Sequence, residues 1–107
     1  IAMTKHKPGP WAIDETGLEA DPGKLSIVVG DGEYFICQVD GGMHQMANAK
    51  LIAASPLLLE DLIDAAAQLR KYEDLHRAKG TVDSLAKAEV NAKLASRFEK
   101  TIAQATT

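Results

Sequence analysis

The chain has 107 residues, of which 46% are hydrophobic and 25% are charged, and its formal net charge is −3. This length suits one small domain, and the composition is that of a folded protein and not of a disordered chain. The acidic balance argues against a module that binds duplex nucleic acid through general phosphate attraction.

The single cysteine, Cys37, can form no internal disulfide and offers no thiolate cluster to a metal, which favours a reducing compartment. No apolar run approaches the roughly 20 residues of a membrane-spanning helix, and the start of the chain is too polar for a signal peptide. We interpret Ile1-Ala2 as a tag remnant before Met3. These features predict a cytoplasmic protein.

The first part of the chain, residues 3–42, predicts a small antiparallel sheet. Its strand candidates are Trp11–Asp14, Leu25–Val29 and Glu33–Val39, separated by turn signals at Glu15-Thr16-Gly17, Asp21-Pro22-Gly23 and Gly30-Asp31-Gly32. Alternation places Leu25, Ile27 and Val29 on one face of their strand and Phe35, Cys37 and Val39 on one face of the next. About three short strands cannot stand alone, so a helix should cover one face.

Two helices are predicted after the sheet. Residues 43–79 predict a central helix that is interrupted at Ser55-Pro56, and residues 81–104 predict a C-terminal helix. Ser55 suits an N-cap and Pro56 a first helical residue, which favours two helical segments with a bend; the alternative is one helix kinked by the proline. Gly80 suits a C-cap. The whole is therefore expected to be one α+β domain over residues 1–107, whose helices form a helical hairpin.

The best candidate for a ligand site is the turn Gly41-Gly42. Glycines before a helix N-terminus leave backbone N–H groups open to an anion, and Asn48 and Lys50 follow in the helix. Trp11 or Tyr34 would stack a base if the anion were a nucleotide. The structural alternatives are a simple strand-to-helix turn at Gly41-Gly42 and a buried anchoring role for Trp11, whereas an exposed Trp11 beside His6 and Lys7 would form a stacking and cationic surface.

A second candidate surface is an interface between subunits or with a partner, for which the alternative is solvated helix. It combines aromatic, apolar and basic residues of the two helices: Tyr72, Leu75, His76, Arg77, Leu94 and Phe98.

The sequence gives little support for a catalytic site or a metal site. His6, His44, His76 and Cys37 lack ligand spacing, and the adjacent Glu60 and Asp61 point about 100° apart on a helix. We expect no catalytic residue, no metal and no cofactor, and therefore no enzyme.

Two motifs carry a resemblance. The opening His6-Lys7-Pro8-Gly9-Pro10-Trp11 and the later run 48–58, Asn-Ala-Lys-Leu-Ile-Ala-Ala-Ser-Pro-Leu-Leu, resemble a widespread group of small phage and prophage proteins of unknown function. Lys7 stands where threonine is common, and Lys50 where arginine is common. The resemblance implies a phage accessory protein inside a bacterial cell and implies no activity.

We therefore expect a non-catalytic protein that acts by binding and forms a homo-oligomer. It would antagonise a host defence system in one of two ways. It would occlude a defence complex with its acidic N-terminal half, or it would sequester a small anionic nucleotide in a pocket that Gly41-Gly42, Lys50 and an aromatic residue form between subunits. The alternative is a structural or assembly oligomer with no ligand. Occlusion predicts a host protein in pull-downs, weakened by neutralising Asp14, Glu15 and Glu19. Sequestration predicts thermal stabilisation by a nucleotide that Lys50→Ala abolishes.

Overall fold

A computed structural model describes residues 6–15, 23–30, 32 and 34–107. Three strands come first, β1 (Trp11–Asp14), β2 (Leu25–Val29) and β3 (Tyr34–Val39), and two helices follow, α1 (Gln45–Lys79) and α2 (Val82–Thr106). The strands form one antiparallel sheet in the order β1-β2-β3, which confirms the predicted α+β fold. The predicted turns at Thr16-Gly17, Asp21-Pro22 and Asp31 lie outside the described residues. The chain divides into two compact units: the described residues among 6–58 belong to the first, and residues 59–107 belong to the second.

The prediction that Phe35 shares a face with Cys37 and Val39 is wrong. Ile27 pairs with Cys37, but its neighbour Val28 pairs with Phe35, so Ile36 is an extra residue that shifts the register of β3. Because a β-bulge of this kind breaks the alternation of faces, Phe35 on one side of Ile36 projects from the opposite face to Cys37 and Val39 on the other side. Phe35 is 57% exposed as a result.

The core of the first unit lies between the sheet and the start of α1. Leu25 and Ile27 of β2, Val39 of β3 and Ala49 of α1 are all buried. The residues that pack around them are partly buried: Trp11, Ile13, Ile36, Cys37, Ile52 and Ala53. Because Ala49 is small, the helix backbone can lie close to the sheet.

The prediction of two helical segments at Ser55-Pro56 is wrong, since α1 is unbroken across Pro56. Ser55 therefore caps no new helix, and its hydroxyl donates to the Leu51 carbonyl at 2.9 Å inside the helix. Pro56 is buried, and a Cβ built on Gly9 would lie 3.1 Å from the proline Cβ. Burial of the ring against this glycine offsets the helix hydrogen bond that a proline cannot make. The contact joins the two sequence motifs of the phage-type resemblance.

The second unit is a helical hairpin, as predicted. Gly80 has φ of +73°, a conformation that side chains disfavour, and its N–H donates to the His76 carbonyl to end α1. Thr81 caps α2 by accepting a hydrogen bond from the Ser84 N–H at 3.1 Å. The buried residues of this unit are small, which allows two helices to pack closely: Ala66, Ser84, Ala88 and Ala95.

Candidate functional site

The start of β1 brings aromatic and basic side chains to one end of the sheet. Trp11 pairs with Val29, and Val29 pairs with Tyr34, so the three residues stand side by side on adjacent strands. Directly paired residues project from the same face, and adjacent strands lie about 4.8 Å apart. Trp11 and Tyr34 are therefore about 10 Å apart across the sheet.

Three contacts fix this group. The Trp11 indole N–H donates to the Lys7 carbonyl at 3.1 Å, and the His6 ring meets the Trp11 ring edge-on with centroids 6.1 Å apart. The Lys7 ammonium lies 4.3 Å from the centroid of the Tyr34 ring. We call these four residues, His6, Lys7, Trp11 and Tyr34, the aromatic–basic surface.

The exposure of these side chains decides what they can do. Tyr34 is 49% exposed and Lys7 is exposed, whereas Trp11 and His6 are half-buried. Trp11 packs against the core and is also partly exposed at the surface. Its position therefore lies between the two predicted roles, a buried anchor and an exposed stacking ring. A cation held beside π-faces suits a planar ligand that carries negative charge.

The turn Gly41-Gly42 lies at the opposite end of the sheet. β3 has six residues, so its ends, Tyr34 and Val39, lie about 16 Å apart at the usual rise of a strand. A Cβ on Gly41 would lie 2.9 Å from the Gly23 carbonyl oxygen. The Gln45 side-chain amide donates to that same oxygen and, at 3.0 Å, to the Val39 carbonyl. Close backbone packing is thus a structural reason for glycine at position 41.

The other two predicted ligand residues lie on the first turns of α1. Asn48 and Lys50 are both exposed, and the Asn48 N–H donates to the His44 carbonyl at 2.9 Å as part of the helix start. Two residues along a helix differ by about 200° in direction, so these side chains leave opposite flanks. Within one copy, Trp11 and Gly41 therefore lie at opposite ends of the sheet, and Asn48 and Lys50 point away from each other.

The predicted interface on the hairpin contains an ion-pair network that sequence reasoning missed. Glu73 contacts both Arg70 and Arg77 at 2.8 Å. Arg70 also reaches Glu99 at 2.6 Å, and Arg77 reaches Glu89 at 3.1 Å, so the network joins α1 to α2. The spacing of residues 70, 73 and 77 by three and four was the available signal.

The ion-pair network also shifts the pKa values of its side chains. Hydrogen bonds from Arg70 and then Arg77 lower the pKa of Glu73, and the Arg70 hydrogen bond lowers the pKa of Glu99. The same contacts raise the pKa of Arg70, through Glu99 first and then Glu73, and that of Arg77, through Glu73 and then Glu89. The carboxylates are therefore held in their charged form.

The remaining interface residues differ in exposure. Tyr72 is 47% exposed and Leu75 57% exposed, while His76, Leu94 and Phe98 are half-buried. The Arg97 guanidinium lies 5.7 Å from the Phe98 ring centroid. An open depression of about 330 Å³ lies beside His76 and is lined by α2 residues Ala86, Lys87, Val90 and Asn91.

Within the described part of the chain, no three His, Cys, Asp or Glu side chains are grouped closely enough to hold a metal ion. Neither described helix has the length and hydropathy needed to cross a membrane.

Compared with known protein families, the sequence matches the model described as Salmonella phage P22 protein Y8K6 over residues 3–107. The matched range spans the three strands and both helices. No curated protein and no solved structure matches the chain.

Proposed function

Because the chain belongs to the phage protein family of Salmonella phage P22 protein Y8K6, we propose that it is a non-catalytic accessory protein that acts by binding inside the bacterial cell. Its ligand, in this proposal, is a small anionic nucleotide that a host defence system uses as a signal. Sequestration of that signal would antagonise the defence system.

The observation that carries the proposal is the placement of the Lys7 ammonium 4.3 Å from the Tyr34 ring centroid, beside the tethered Trp11. A base can stack on an aromatic face without sequence-specific contacts, and a lysine ammonium is a common partner of phosphate. His6, edge-on to Trp11, adds a further polar ring to the same group.

The free energies of these contacts indicate how many contacts the ligand needs for tight binding. Stacking contributes about 1–3 kcal/mol per base, and a hydrogen bond to a charged group about 1.5–3 kcal/mol. A micromolar dissociation constant requires about 8 kcal/mol, and ordering the ligand costs more. One aromatic–basic surface therefore falls short, and in this proposal a second subunit of a homo-oligomer supplies further contacts.

The test is thermal stabilisation of the purified protein by a panel of nucleotides, including cyclic and dinucleotide forms. We expect one or more of them to raise the melting temperature, and Lys7→Ala and Tyr34→Ala to abolish the rise. Lys50→Ala is the matched control, since Lys50 is an exposed lysine outside the aromatic–basic surface.

Two other results of the stabilisation test would contradict the proposed site. Loss of stabilisation in Lys50→Ala alone would move the site to the helix start beside Gly41-Gly42. No stabilisation by any nucleotide would reject sequestration.

Charge distribution favours a second candidate, occlusion of a host defence complex. Residues 1–44 hold seven carboxylates against three lysines, an excess that could mimic nucleic acid. Glu15 and Asp40 are exposed; the charges of Glu19, Asp21, Asp31 and Glu33 lie outside the described residues. A host protein captured by the wild type, and lost when Asp14, Glu15 and Glu19 are neutralised, would support this candidate. A structural oligomer predicts neither a nucleotide nor a captured host protein.

A further inference from the structure

The first turns of α1 are apolar on two opposite faces. The face toward the sheet carries Ala49 and Pro56, both buried. The opposite face carries four exposed residues, which we call the exposed stripe: Ala47, Leu51, Ala54 and Leu58. Their spacing of four, three and four residues keeps them within an arc of about 60° on the helix.

The exposed stripe is more than a scatter of surface leucines. Leu51 is 63% exposed and Leu58 51% exposed, although both belong to a well-formed helix. Single exposed apolar residues are ordinary, but a contiguous apolar strip at the a and d positions of a heptad is the pattern by which helices pair.

We propose that the exposed stripe pairs with the same stripe of a second copy of this chain, with the two α1 helices antiparallel about a two-fold axis. The alternation of small and large residues carries this inference. In an antiparallel pair, a positions face d positions, which sets Leu51 against Ala54 of the second copy and Leu58 against Ala47 of the second copy. Each of the four layers then contains one leucine and one alanine.

A parallel pair would fit worse. It would place leucine on leucine and alanine on alanine, so that wide and narrow layers alternate along helices that should stay a constant distance apart. The sequence of the stripe is thus complementary to itself in the antiparallel sense only.

The polar residues at the two ends of the exposed stripe agree with the same axis. His44 lies directly before α1 and three residues before Ala47, and Asp61 follows Leu58 by three residues on α1; both are exposed. The register that opposes Leu51 to Ala54 also opposes His44 of one copy to Asp61 of the other, at both ends. A polar His44–Asp61 pair therefore ends the four apolar layers on each side. Because the same pair recurs at both ends, the two-fold arrangement favours a second copy of this chain over an unrelated partner.

The test measures the monomer–dimer equilibrium by sedimentation equilibrium over a range of micromolar concentrations. We expect a dimer in the wild type. Ala54→Leu places leucine on leucine in two layers of each dimer and should weaken association by about tenfold or more. Leu51→Ala combined with Ala54→Leu exchanges the large and small residues and should restore the dimer.

Leu85→Lys is the matched control, since Leu85 is a leucine of α2 that is 42% exposed and lies outside both the exposed stripe and the predicted hairpin interface. It should leave the dimer intact, whereas Leu51→Lys should dissociate it. Circular dichroism should show unchanged helix content, because all these positions are exposed. A wild type that stays monomeric, a dimer unaffected by Ala54→Leu, a double variant that is not restored, or dissociation by Leu85→Lys alone would each overturn the proposal.

Discussion

Gly41→Ala gives the sharpest prediction for the stability of the first unit. A Cβ at position 41 would lie 2.9 Å from the Gly23 carbonyl oxygen, which is backbone and cannot rotate away. The same oxygen accepts the Gln45 amide hydrogen bond, so the new methyl group must disturb both partners. Overpacking costs about 1–3 kcal/mol and a lost hydrogen bond about 0.5–1.5, while alanine recovers about 0.4–1 by restricting the unfolded chain. The expected net loss is about 2 kcal/mol.

Urea unfolding followed by tryptophan fluorescence measures this loss, because Trp11 is the sole tryptophan and belongs to the same unit as Gly41. We expect the midpoint to fall by about 1 M. In a Gln45→Ala background, Gly41→Ala should cost about 1 kcal/mol less, since the hydrogen bond is already absent. Asp40→Ala, an exposed neighbour, should change stability by less than about 0.5 kcal/mol. A Gly41→Ala protein as stable as the wild type would refute the packing argument.

Three further substitutions test other elements. The pKa of Glu73 is lowered, first by the hydrogen bond from Arg70. Its ion pairs therefore stabilise the hairpin fully at a pH above the pKa that Glu73 has in the unfolded chain. This stabilisation is lost as the pH falls through the lowered pKa of the folded protein. Glu73→Gln should therefore flatten the acid side of a stability profile measured by circular dichroism. Thr81→Ala removes the cap on the Ser84 N–H and should cost about 1 kcal/mol in thermal unfolding, whereas Thr81→Ser should be nearly neutral. Phe35→Ser should cost only about 1–2 kcal/mol in urea unfolding, because the ring is 57% exposed and loses only its partly buried area.

Each of these has a clear contrary result. An unchanged acid profile in Glu73→Gln would mean that the ion pairs do not stabilise the hairpin. Equal stability of the Thr81→Ala and wild-type proteins would remove the capping role. A loss of several kcal/mol in Phe35→Ser would restore the interpretation of Phe35 as a core residue.

Local patterns predicted most of the fold. The β-branched run at Leu25–Val29 and the cap signals at Gly80 and Thr81 are decided by short-range chemistry, so the elements were found with bounds close to those observed. Two predictions failed because tertiary packing decides them. Only the partner strand shows that Ile36 is an extra residue, and only the contact with Gly9 shows why Pro56 stays within the helix.

The candidate site was predictable in part. The possibility of a surface formed by Trp11, His6 and Lys7 followed from their closeness in sequence, but the addition of Tyr34 depends on strand register. Within one copy, β3 separates Trp11 from Gly41 and Gly42 along the sheet. A pocket that joins them between subunits stays a prediction.

Native mass spectrometry of the protein purified from a bacterial host tests the central claim most directly, because it reports subunit number and retained small molecules together. The account predicts an even-numbered oligomer that carries the added mass of a nucleotide and loses that mass, but not its subunits, in Lys7→Ala. A wild-type oligomer or monomer that carries no added mass, and gains none when nucleotides are supplied, would contradict the account.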